Sequence, residues 1–179
     1  GTLGITGAYN LGVYGDWTNN GTFTAAANSS VTFTGATNNT MAGTSATTFY
    51  NLIFNKAATA NTLTSIAKAF IVSSNLTITQ GDLILQAIDN DYTVTGDVIV
   101  PAAGILTHSV NWDVVGKRLY VGGNISIDGI FNYTARSTVN MNGTGSKTVR
   151  TGTNPASGFS IFLLSNGNFS ANGPLLVND

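Results

Sequence analysis

The feature that most restricts this chain is its resemblance to itself: residues 11–45 fall on 119–153 without a gap. Ten of those 35 positions are identical, among them Leu11/Leu119, Val13/Val121, Gly15/Gly123, Phe23/Phe131, Val31/Val139 and Thr40/Thr148. Substituted slots keep their character, as Phe33/Met141 and Met41/Val149 do, and a two-residue insertion near Asn154-Pro155 then brings Phe49 onto Phe159. A chain built this way needs a fold that extends by repetition. We read residues 1–179 as one continuous repeat segment, with one copy at about 11–118 and a partial second copy at about 119–179. The chain opens on Gly1-Thr2-Leu3 and stops at Asn178-Asp179 inside patterned sequence, so a piece of a larger protein is expected.

Within each copy the pattern is one of short segments that alternate apolar with small polar residues. Thr22-Phe23-Thr24, Val31-Thr32-Phe33-Thr34, Leu76-Thr77-Ile78-Thr79, Tyr92-Thr93-Val94-Thr95 and Ile125-Ser126-Ile127 all do so. A period of two puts apolar side chains on one side of a strand and hydroxyls on the other. Gly21, Gly35, Gly81, Gly96 and Gly143 punctuate the segments where turns are needed. Two runs, 49–54 and 159–164, are more continuously apolar and are expected to be covered on both faces. A helix is best supported at 65–70, a stretch too short to exceed a turn and running straight into Ile71-Val72.

Composition narrows the all-β choices. Charged residues are only 8% of the chain, all eight acidic residues are Asp, and Thr and Asn number 26 and 21. Residues that build solvated helix faces are scarce, while strand and turn formers abound. The expected architecture is a parallel β-helix or β-solenoid of short stacked strands, because stacking like residues rung on rung penalises charge. Tandem β-sandwich repeats are the alternative, but the chain carries no sandwich signature of Trp or a tyrosine corner. A net charge of -1, with Lys117-Arg118 as the nearest thing to a basic patch, argues against nucleic acid. No apolar run approaches the length of a membrane-spanning helix, so no membrane insertion is expected, and without cysteine there are no disulfides or thiolate metal sites.

Three stretches carry a family resemblance: Gly15-Asp16-Trp17-Thr18-Asn19-Asn20-Gly21-Thr22-Phe23-Thr24, the run from Val121-Gly122-Gly123-Asn124 to Phe131, and the run from Thr40-Met41-Ala42-Gly43 to Asn55. They resemble the Thr/Asn/Gly-rich repeats of large secreted or cell-surface, adhesin-like β-solenoid proteins of Bacteroidota that use type IX secretion. The resemblance spans most of 11–179 and rests on structural rather than catalytic motifs. It implies an extracellular or cell-surface location, with neighbouring repeats of the same or identical chains, and surface glycans, as partners. The sorting domain typical of that group is not found in this sequence, and 82–118 fits the pattern least well.

No catalytic residues emerge. The single imidazole, His108, lies in Thr107-His108-Ser109 and is expected to be an exposed or satisfied turn residue rather than a base. Asp89-Asn90-Asp91, with Asp97 further on, is the nearest approach to a carboxylate pair. Asp89 and Asp91 at i, i+2 could share a Ca²⁺, though a turn closed by its own side chains is the plainer reading. Among the aromatics, Trp17 meets Ile125 in the second copy and so reads as packed, whereas Tyr14 meets Gly122 and reads as peripheral. Trp112, outside the repeat register, and Tyr92 are the candidate ligand-binding aromatics. The expected function is a non-catalytic structural or adhesive stalk or filament segment. Alternatives are a carbohydrate-binding module of a polysaccharide-degrading enzyme, a β-helix lyase or hydrolase, and ice binding. The last would use Thr-x-Thr pairs, but those starting at Thr22, Thr32, Thr77 and Thr93 are too unevenly spaced to share one rung length.

Overall fold

The computed structural model describes residues 1–87, 91–109, 118–133, 137–152, 161–165 and 168–171. Among these there is no helix, and every strand pair is parallel. The chain winds as a β-solenoid with three faces per turn. The first face carries β1 (Thr2–Ile5), β4 (Thr22–Ala25), β7 (Thr48–Phe49), β10 (Ile71–Val72), β12 (Tyr92–Val94), β15 (Arg118–Val121), β18 (Thr138–Met141) and β20 (Ile161–Leu164). The second carries β2 (Asn10–Val13), β5 (Ser30–Phe33), β8 (Asn51–Asn55), β11 (Leu76–Leu85), β13 (Val98–Val100), β16 (Ile125–Ile127), β19 (Ser146–Thr151) and β21 (Asn168–Ala171). The third carries β3 (Trp17–Thr18), β6 (Asn39–Ala42), β9 (Thr62–Ser65), the C-terminal half of β11, β14 (Ala103–His108) and β17 (Ile130–Tyr133). The strand β11 bends across a corner with Gly81 at φ 100°, which lets one strand serve two faces.

Registers show why the alternating pattern folds this way. On the second face Leu11, Val31, Leu52, Leu76, Val98, Ile125 and Val149 align in one inward column. Their sequence spacing is uneven, shortest from Leu11 to Val31 and longest from Val98 to Ile125, and corners absorb the difference. Aromatic rings form the core of the N-terminal half. Phe49 stands 5.5 Å from Trp17, 5.7 Å from Phe23 and 6.2 Å from Phe70, and Phe70 meets Tyr92 at 5.0 Å, edge to face.

The internal repeat is a strand-for-strand match. The strands β2, β4 and β5 map onto β15, β17 and β18 with identical bounds; Phe23/Phe131, Val31/Val139 and Phe33/Met141 are buried in both copies, while Leu11 and Val13 are only partly buried where Leu119 and Val121 are buried. The match nevertheless moves each strand to another face: β5 stacks between β2 and β8, while β18 stacks between β15 and β20.

Several sequence expectations are corrected. The run at 49–54 is not covered on both faces: Phe49, Leu52 and Phe54 point inward, while Tyr50, Asn51 and Ile53 are half-buried outside, and a corner separates β7 from β8. Of the run at 159–164, residues 159–160 lie outside the described residues. The stretch 65–70 is no helix, in keeping with its shortness, and carries the chain around a corner between β9 and β10. His108 is not in a turn but is an inward residue of β14.

Candidate functional site

The solenoid's polar side chains mainly bond one rung to the next. Next to the aliphatic column of the second face, Asn51, Asn75, Asp97 and Asn124 form a ladder. In each step a side-chain oxygen accepts from the backbone N–H one rung on: Asn51 from Asn75 N at 3.3 Å, Asn75 from Asp97 N at 2.8 Å, Asp97 from Asn124 N at 2.7 Å and Asn124 from Thr148 N at 2.9 Å. Amide and carboxylate oxygens suit this position because corner N–H groups leave the strand ladder and need an acceptor. The same bond recurs at the repeat offset on another face: Asp16 accepts from Thr40 N at 2.8 Å, as Asn124 does from Thr148.

This use accounts for the carboxylates. Asp82 accepts from the Thr107 hydroxyl at 2.8 Å, with burial holding its pKa above the usual carboxylate value. Asp91 accepts from Arg118 N at 2.8 Å across rungs. Asp128 is paired with the Arg150 guanidinium, whose hydrogen bonds lower its pKa. Each Asp among the described residues therefore has a partner in another rung, and none faces a second carboxylate. The described residues contain no group of three or more His, Asp or Glu that could hold a metal ion. Asp89, the other half of the candidate Ca²⁺ pair, lies outside the described residues, and Asp91 is engaged as a ladder acceptor. Replacing Asp97 with Asn should leave stability nearly unchanged, since the amide oxygen still accepts from Asn124. Asp97→Ala should cost about 1–2 kcal/mol, read by chemical denaturation, because it orphans that N–H.

The candidate binding aromatics separate clearly. Trp112 lies outside the described residues. Tyr92 is wholly buried and cannot stack on a ligand; its hydroxyl accepts from Ala87 N at 2.7 Å and donates to Ser65 O at 3.3 Å. Trp17 is in the core, its indole N–H donating to the Thr47 hydroxyl at 3.1 Å. Among the described residues the exposed aromatics are Tyr9 and Tyr14, at 69% and 71%, flanking β2. The Tyr14 ring passes over Gly12 and Gly35, where a Cβ would meet ring carbons at 3.7 and 3.5 Å. The repeat comparison marked Tyr14 as peripheral but could not show that glycines on two rungs leave it a seat.

His108 differs from its expected role. It is wholly buried, and neither ring nitrogen has a partner among the described residues. Burial brings its pKa down to about 4, so it is neutral at pH 7, and among the described residues no hydroxyl or carboxylate bonds to it.

Open depressions among the described residues include one of about 400 Å³ between Thr93, Thr95, Gly122, Asn142 and Lys147, and two others. One of about 480 Å³ lies at the N-terminal end, lined by residues including Leu3, Asp16, Trp17, Asn19 and Phe23. Another of about 380 Å³ lies on the second face between Asp97, Asn124, Ser126, Thr148 and Arg150. The outward column there reads Thr32, Ile53, Thr77, Ile99, Ser126, Arg150, so hydroxyls alternate with aliphatic side chains and form no regular threonine array. Comparison with protein-family models, curated proteins and solved structures finds no match to this chain.

Proposed function

We propose that this chain is a non-catalytic scaffold segment of a secreted or cell-surface repeat protein, an extended stalk whose work is to hold neighbouring parts at a distance. The observation that carries this reading is the ladder: Asn51, Asn75, Asp97 and Asn124 tie successive rungs along the axis and take a carboxylate into that structural task. Eight strands stack on the second face, and at about 4.8 Å per step they span roughly 34 Å. Each rung contacts only its neighbours, so length grows with rung number at no cost to existing packing.

The test pairs shape with turnover. Small-angle scattering of the chain should give an elongated particle, and a panel of polysaccharides should survive prolonged incubation with it. Cleavage of any glycan that is lost on Asp89→Ala or Asp91→Ala would sink the non-catalytic reading.

A second reading, carbohydrate binding, is favoured by Tyr14 lying exposed over Gly12 and Gly35, with exposed Tyr9 at the other end of β2. Aromatic faces of this kind stack on sugar rings. On that reading, Tyr14→Ala should abolish binding on a glycan array while leaving the thermal midpoint within a degree or two, since an exposed ring contributes little to folding. An array without a hit for the unaltered chain would rule this reading out.

A further inference from the structure

Lys56 follows β8 at the corner between the second and third faces and is 2% exposed. Its Nζ donates to Thr34 O at 2.8 Å and to Asn39 Oδ1 at 2.6 Å, with the Phe54 ring centre 6.0 Å away. Both hydrogen-bond acceptors are neutral. A buried ammonium without a counter-ion is costly, and the usual solution is a carboxylate at this distance. Here the group in that place is a carboxamide. Burial pushes the amine's pKa down, which raises the neutral, nucleophilic fraction.

Asn39 opens β6 and is 8% exposed. Its oxygen is taken by Lys56, and its side chain lies beside the Asp16 carboxyl, close enough to help lower that group's pKa. A carboxylate can only accept, so the part of Asn39 that suits it is Nδ2. Asp16 is itself fixed by Thr40 N at 2.8 Å, and this bond holds it in the ionised form. Amine, carboxamide and carboxylate therefore stand in a row.

We propose that Lys56 and Asn39 join in an intramolecular isopeptide bond, an amide between Lys56 Nζ and Asn39 Cγ formed with release of ammonia. The neutral amine attacks Cγ, the Nζ–Cγ bond forms and the Cγ–Nδ2 bond breaks. In the tetrahedral adduct both nitrogens sit on Cγ, so the ionised Asp16 carboxylate beside Nδ2 takes up the proton that Nζ loses and returns it to Nδ2, which leaves as ammonia. No oxidant or co-reactant is consumed. The bond would pin the start of β6 to the end of β8, which lie in successive rungs on different faces, and so prevent the rungs from separating there. This inference stands apart from the scaffold reading and from any ligand.

The test is the intact mass of the purified chain under denaturing conditions. The unaltered protein should weigh about 17 Da less than its sequence, one ammonia, and proteolysis should yield a branched peptide joining Asn39 to Lys56. Lys56→Met and Asn39→Ala should each restore the full expected mass. Using both guards against one variant failing to fold, which circular dichroism checks. Asp16→Asn should slow the loss of ammonia at least tenfold in freshly refolded protein. Cyclisation at Asn20-Gly21 or Asn142-Gly143 would give the same deficit, but it would persist in Lys56→Met, and that result would overturn the proposal. A folded, aged, unaltered chain at full sequence mass would overturn it as well, and an unchanged rate in Asp16→Asn would overturn the role given to Asp16.

Discussion

Lowering the pH from 7 to 4 is expected to remove roughly 3 kcal/mol of stability through His108 alone. The imidazole is fully buried in β14, between Leu85 and Tyr133 in register, and its folded-state pKa is brought down to about 4 from an ordinary 6.5. Between those two values the unfolded chain binds a proton that the folded chain does not, so stability falls as pH drops through that window. Below about pH 4 both states are protonated and the His108 contribution levels off. Asp16 and Asp128, whose pKa values are lowered by their hydrogen bonds, lose stability further down, as they protonate. Asp82, raised by burial, acts in the opposite sense. Its titration overlaps the upper part of the carboxylate range and partly offsets the histidine, so the difference between the unaltered chain and His108→Leu, both of which keep Asp82, isolates the histidine. Urea denaturation at half-unit intervals should show the slope, and His108→Leu should flatten it. The same variant should gain about 1–3 kcal/mol at pH 7, because it removes two buried nitrogens that have no partner among the described residues. A slope unchanged in His108→Leu would refute the assignment.

The position of His108 was in fact legible in the sequence. Leu106 and His108 are two apart in an alternating stretch, and a period of two places them on the same side of a strand. The polar character of Thr107-His108-Ser109 masked that pattern and suggested a turn. Tyr92 was hidden in the reverse sense: its own segment, Tyr92-Thr93-Val94, alternates and places the ring inward, yet its aromatic character suggested a ligand contact. Both cases teach that periodicity decides a strand residue's side before its chemistry does. The repeat offset was likewise a faithful guide to strand identity and to the inter-rung bonds of Asp16 and Asn124. It could not give the face. With the bent β11 counted as two strands, β15 lies fourteen strands after β2, and fourteen is not a multiple of the three faces. Rung length had to come from pairing registers, since corners of different length hide it from a fixed offset. The Lys56–Asn39–Asp16 cluster had no sequence signal, because its members are far apart along the chain and meet only when successive rungs stack.

Phe49→Ala is expected to have the largest effect of any single truncation, about 3–5 kcal/mol. Phe49 is wholly buried and its ring lies within 6.2 Å of the ring centres of Trp17, Phe23 and Phe70. The cavity would open where three rungs share one aromatic cluster, and rigid strands on all faces would limit its collapse. In a stacked fold the loss should also be local, since coupling passes only between neighbouring rungs. Amide hydrogen exchange should show protection falling across β3 to β10, while β13, β16 and β19 keep theirs, being held by the Val98–Ile125–Val149 column and the Asp97–Asn124 ladder. The aliphatic slot Leu52, one corner away, provides the comparison. Leu52→Ala should cost less, about 2–4 kcal/mol, and reduce protection chiefly in β5, β8 and β11. Uniform loss of protection along the whole chain in Phe49→Ala would mean that the rungs unfold as one unit. The scaffold would then be a single cooperative body, whose length could not be extended without changing the stability of every rung.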